Sequence, residues 1–225
     1  NCAGFGHAVV VGGDTNCACA CGSVVVGGCV NKTGACVSII GAGERNEICQ
    51  GSTCGGNFIG AGSHLTVGSC YFANSIVGGI SSSMSQNASA AFIGGGEMNS
   101  SGHSNTFIGA GYGLSATATS AGVAAGRNNV ASGGFSFIGG GAEQHAEGDH
   151  SVVGGGCDNI VTGCTSTIAG GDSNCVTGNY SIVAGGQGNK VTGACSIIGG
   201  GRGNCVCNNQ STVAGGDCNI IDSSS

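Results

Sequence analysis

An aliphatic residue returns every fifteen positions along most of this chain, two places after a serine and shortly before a glycine. Residues 181–195 read SIVAGGQGNKVTGAC; the next fifteen read SIIGGGRGNCVCNNQ, and the fifteen before read STIAGGDSNCVTGNY. Aligned on S-x-[IV]-x-G-G, the sequence divides into fourteen coils beginning at residues 8, 23, 38, 57, 75, 91, 106, 121, 136, 151, 166, 181, 196 and 211. Eleven coils are fifteen residues long. The other three carry insertions near 44–56, 63–74 and 80–90, and residues 1–7 read as the second half of an earlier coil. The third column is β-branched throughout: Val10, Val25, Ile40, Ile59, Val77, Ile93, Ile108, Val123, Ile138, Val153, Ile168, Val183, Ile198 and Val213. Column five is Gly or Ala, and column six is Gly except at Ile80. Column nine is mostly Asn, as at Asn16, Asn31, Asn46, Asn159, Asn174, Asn189, Asn204 and Asn219.

This pattern predicts two short strands per coil, one opening S-x-V-x-G and the other N-x-V-x-G, joined by glycine turns. Side chains alternate across a strand, so columns one, three and five share one face and columns two and four the other. The constant columns belong inside. Fifteen residues are too few for a helical crossover, so successive coils pair as parallel strands. The predicted fold is all-β: a parallel β-solenoid, a two-sheet β-roll of about fourteen coils forming one domain over residues 1–225. Inward Asn side chains at a turn can bond backbone groups and stack as a ladder. The absence of Pro agrees, because each central strand must donate its N–H to a neighbour.

Column two faces outward yet is apolar: Val9, Val24, Ile39, Phe58, Ile76, Phe92, Phe107, Phe137, Val152, Ile182 and Ile197. A stripe of that extent exceeds what a monomer ordinarily leaves wet. It predicts an interface with further copies of the chain, bulky column-two side chains filling space beside the small column four. The outward positions of the second sheet are polar, among them Lys32, Glu47, His145, Glu147, Thr162, Thr177, Lys190 and Thr192.

Composition narrows the functions. Net charge is −6 with five Lys and Arg, which leaves no basic patch for nucleic acid. No apolar run reaches the ~18 residues of a membrane span. Sixteen Cys suggest an oxidising, extracellular or particle-surface setting. Nine lie within residues 1–70 and seven within 157–218. Cys2 and Cys17 share a column on adjacent coils, as do Cys21 and Cys36. A spacing of ~4.8 Å fits a disulfide, so Cys2–Cys17 and Cys21–Cys36 are the expected pairs. Cys19, Cys175, Cys205, Cys207 and Cys218 are candidates for links between subunits. Open ends and end-clustered thiols together predict head-to-tail stacking into a filament; the alternative is a segment cut from a longer solenoid.

Catalytic and metal chemistry is not legible. The CACAC run at 17–21 places Cys17, Cys19 and Cys21 on one face, but no His or second Cys pair completes a ligand set, so no metal or cofactor is expected. The five His fall in different columns, and the glycine-rich stretch 199–204 opens no helix that could hold a phosphate. An enzyme is not expected. Among the sequons, Asn31 and Asn99 fall in the inward column, whereas Asn179 and Asn209 fall at outer turns.

The SIVAGGQGNKVTGAC phrase resembles the head repeats of trimeric autotransporter adhesins (YadA-like heads), and the likeness extends over residues 8–225. It implies a left-handed roll and a homotrimer, and a host or surface receptor if the adhesive role also carried over. The coil here is one residue longer than that family's usual repeat and far richer in Cys, and no neck or coiled-coil stalk is visible. The N-x-V-x-G halves at Asn174–Gly178 and Asn189–Gly193 are similar to grass ice-binding β-rolls, which need a regular outward Thr array. Thr162, Thr177 and Thr192 supply only three steps of one. The expected function is therefore a self-associating extracellular fibre subunit stabilised by disulfides, with an adhesin or viral fibre head as the alternative and ice binding third.

Overall fold

The computed structural model of this chain describes residues 1–68 and 72–222, with only the backbone described over 50–54. It is all-β, two parallel sheets wound into a β-solenoid of about fourteen turns of about fifteen residues, as the periodicity predicts. By contacts the chain divides into two compact units, Asn1–Leu114 and Ser115–Ser225.

In the first unit the serine-led sheet pairs Val25 with Ile40, Ile40 with Ile59, Ile59 with Ile76, Ile76 with Ile93 and Ile93 with Ile108. In the second, Val123, Ile138, Val153, Ile168, Val183, Ile198 and Val213 stack in the same way. Opposite them, the asparagine-led sheet contributes Ala18, Ile48, Val67 and Met84 in one unit and Val161, Val176, Val191 and Val206 in the other. All of these side chains are buried, so the core is a thin double file of aliphatics between facing sheets. Val10 is one of two predicted core positions that are not buried. Its strand, Val9–Val10, pairs on one side only, and the side chain is half-buried.

One coil is out of register with the prediction. Val77 is 48% exposed and Ile76 is fully buried, so the interior residue is Ile76, and it is no part of the outward stripe. The coil begins at Asn74, not at Ser75. Asn74 N–H donates to Oδ1 of Asn57 (3.1 Å), and Ala91 N–H donates to Oδ1 of Asn74 (3.1 Å), a spacing of seventeen residues each way. The shift removes the Ile80 anomaly as well, since Gly79 now occupies column six. A Cβ at Gly79 would run into the carbonyl oxygen of Gly96 on the next coil, so the column accepts only Gly.

The expected glycine turns account for one left-handed position in most coils, column six, as at Gly28 (φ 87°), Gly126 (φ 108°) and Gly171 (φ 100°). Two further left-handed positions recur along the coils, one just before the inward Ser position and one just before the inward Asn position. Most are not Gly: Val30 (φ 58°), Val37 (φ 49°), Phe135 (φ 57°), Thr165 (φ 54°) and Tyr180 (φ 56°) are examples. Such a conformation costs a bulky L-residue roughly 1–2 kcal/mol. A hydrogen bond offsets it. Outward strand residues such as Val9, Cys17 and Val24 donate their N–H groups to the following coil, whereas at the corner the N–H donates back to the preceding one: Val30 to Asp14 O (3.0 Å), Phe135 to Thr119 O (3.0 Å), Tyr180 to Cys164 O (3.0 Å). Each corner is thus pinned from behind, and the identity of its side chain is free.

Candidate functional site

The Asn ladder is built as predicted. The buried side chain of Asn189 ties its own coil to the next. Its Nδ2 donates to the carbonyls of Gly185 (3.1 Å) and Gly201 (3.0 Å), and its Oδ1 accepts the N–H of Asn204 (3.0 Å). Asn16, Asn31, Asn46, Asn159, Asn174 and Asn204 repeat this arrangement, and the exposed Asn219 still donates to Gly215. The column-six carbonyls lie against these amides, which ties the close glycine approach to the ladder. A second ladder is formed by serines: Ser181, Ser196 and Ser211 N–H groups donate to Oγ of Ser166, Ser181 and Ser196 at 3.0–3.1 Å. The inward Ser of column one signalled it in the sequence. Asn31 and Asn99 are buried, whereas Asn179 and Asn209 are exposed, each accepting an N–H from the preceding coil through Oδ1.

The outward stripe lies where the alternation puts it. Val9, Ile39, Phe58, Phe107, Phe137, Ile182 and Ile197 are exposed on the serine-led sheet, Phe107 at 44% and Ile182 at 41%. Val24, Phe92 and Val152 beside them are half-buried. The rings of Phe92 and Phe107 stack, with centroids 5.7 Å apart and planes 6° from parallel. The glycines of column four serve the same chain first: a Cβ at Gly94 would come within 3.3 Å of Cε1 of Phe92, and one at Gly60 within 3.4 Å of Cε1 of Phe58. The asparagine-led sheet is polar outside, with Lys32 and Glu47 in register and paired at 3.1 Å, and His145 3.3 Å from Glu147. The Thr column at 162, 177 and 192 is in place, flanked by Glu147 and Cys207.

The cysteines depart from expectation. Cys17 is bonded to Cys19, two residues along the same strand face, with Cα atoms 5.6 Å apart. The Cys2–Cys17 pairing is therefore absent, although the two residues are in register, and Cys19 is not available to a second subunit. Cys21 and Cys36 are likewise thiols. Cys21 lies in a turn and Cys36 ends an extended strand, so the same-column rule for paired strand residues does not transfer to them. Cys175, Cys205, Cys207 and Cys218 are outward thiols. Burial pushes the thiol of Cys175 up, against a smaller opposing pull from Lys190. Burial also raises that of Cys205, helped by its contact with Cys207. Cys54 and Cys70 lie outside the residues whose side chains are described.

No protein-family model matches the chain, and no curated protein matches it. Function has to be argued from the surface alone. Among the described residues no three His, Cys, Asp or Glu side chains gather to hold a metal ion, and the CACAC run spends two of its thiols on the Cys17–Cys19 bond.

Proposed function

We propose that this chain is a non-catalytic, extracellular structural subunit that associates with its own copies through the apolar stripe, three around an axis, and stacks into a fibre. The observation that carries the reading is the stripe itself: Phe107, Phe137, Ile182 and Ile197 stand about two-fifths exposed on a sheet whose opposite face is already filled. Water-exposed aliphatics in a regular file gain most from a partner of the same periodicity, and a second copy supplies it. Backbone ladders, Asn stacks and disulfides would make such a fibre durable. The test is sedimentation velocity and negative-stain microscopy on the wild-type chain and on an Ile182→Glu, Ile197→Glu variant, with and without reductant. The wild type is expected as trimers and long particles, and the variant as a monomer with unchanged far-UV circular dichroism. A wild-type monomer in every condition overturns the proposal.

An adhesin reading draws on a different observation. A groove of about 350 Å³ in the first unit is lined by Thr15, Val30, Lys32, Arg45 and Glu47, charged groups at an exposed corner. On that reading the particles are discrete trimers, and microscopy separates the two.

A further inference from the structure

Cys-x-Cys is written twice on the same two outward columns of the asparagine-led sheet, as Cys17–Ala18–Cys19 and as Cys205–Val206–Cys207. The two backbones are held alike. Cys17 and Cys19 donate their N–H groups to the carbonyls of Asn31 and Thr33, both at 2.8 Å; Cys205 and Cys207 donate to Asn219 and Ile221, both at 2.8 Å. The residue between points inward and is fully buried in each case. The pairs differ in chemical state. Cys17 and Cys19 are bonded, whereas the Sγ atoms of Cys205 and Cys207 touch at 3.4 Å as thiols. In the first pair this strand position carries a bond between residues two apart while both N–H groups keep their ladder hydrogen bonds, and the second pair holds the same ladder bonds with its sulfurs already in contact.

We propose that Cys205 and Cys207 form a reversible dithiol–disulfide couple, oxidised by small-molecule disulfides of the glutathione class. The exposed Cys207 thiolate attacks oxidised glutathione, forming a mixed disulfide and expelling one glutathione thiolate. Cys205, half-buried and held protonated by its surroundings, then gives up its proton and attacks the Cys207 sulfur. The second glutathione leaves, the two cysteine protons end on the two glutathione thiolates, and the protein has lost two electrons to the reagent. Oxidation withdraws both thiols from reaction with any other chain. The proposal stands apart from the assembly reading and survives if that reading fails.

The full chain is equilibrated in mixtures of reduced and oxidised glutathione, quenched in acid, alkylated and cut with trypsin. The peptide after Arg202 carries Cys205, Cys207 and Cys218. As oxidised glutathione rises, that peptide is expected to fall from three alkylated thiols to one, without an adduct, and to recover when reduced glutathione is restored. Cys205→Ser is expected to trap one glutathione on Cys207, because the resolving thiol is gone. Three alkylated thiols throughout, a stable glutathione adduct on the wild type, or a bond from either cysteine to Cys218 or to a second chain would each overturn the proposal.

Discussion

Alanine at Ile76 and alanine at Val77, made separately, decide which of two adjacent β-branched residues the coil hides. Ile76 is fully buried between Ile59 and Ile93. Its truncation removes three carbons, which at about 0.8 kcal/mol each comes to about 2.4 kcal/mol before any cavity term. The unrelaxed void adds to this, and the total belongs in the range of about 2–5 kcal/mol seen for buried Ile-to-Ala changes. Val77 loses two carbons that are already half in water, so its truncation is worth about 0.8 kcal/mol at most. A solenoid need not unfold in one step, so a global melting point can dilute a local effect. Hydrogen exchange read on peptides covering residues 58–97 reports the coil directly. Ile76→Ala should speed exchange there far more than Val77→Ala. Equal effects, or a larger effect at Val77, would refute the register beginning at Asn74.

Three further outcomes are expected. Gly171→Ala forces a Cβ into the carbonyl oxygen of Gly186 at φ 100°, and it should destabilise the second unit by several kcal/mol in guanidinium unfolding. Gly188→Asn, at φ 64° with open space and with Asn128 already in the equivalent corner, should change stability by no more than about 1 kcal/mol. Cys175 should alkylate more slowly than an ordinary exposed thiol at neutral pH, because burial raises its pKa and thins its thiolate; the deficit should close as pH rises above the ordinary thiol value, and a rate matching free cysteine at neutral pH would contradict the burial.

The columns were legible because a stacked coil repeats one physical environment, and a position such as Ile138 has the same neighbours as Val153 and Ile168. The misplaced coil was hidden by a coincidence of letters. Ser75–Gly79 matches the S-x-V-x-G phrase literally, and both Ile76 and Val77 suit a strand. Ile80 in a glycine-only column was the signal that the phrase had been laid one residue late, since a Cβ there has nowhere to go. The column-six glycine turns were legible, whereas the corners before the inward Ser and Asn were not. Glycine is the expected left-handed residue only when nothing else holds the conformation, and the backward hydrogen bond from the preceding coil is a tertiary feature that no local motif announces. The Cys17–Cys19 bond does not follow from stacking on adjacent coils; it joins residues two apart, which share a strand face just as surely.

Because a corner is fixed from behind by its backbone, whatever side chain stands there is merely carried. Within the second unit Phe135, His150, Thr165, Tyr180, Cys195 and Gln210 occupy one such edge, an aromatic, an imidazole, a hydroxyl, a phenol, a thiol and an amide in succession. That edge is a mounting rail with one socket per coil, spaced by the inter-strand distance of ~4.8 Å, on which chemical groups can be exchanged in any order while the frame beneath keeps its shape.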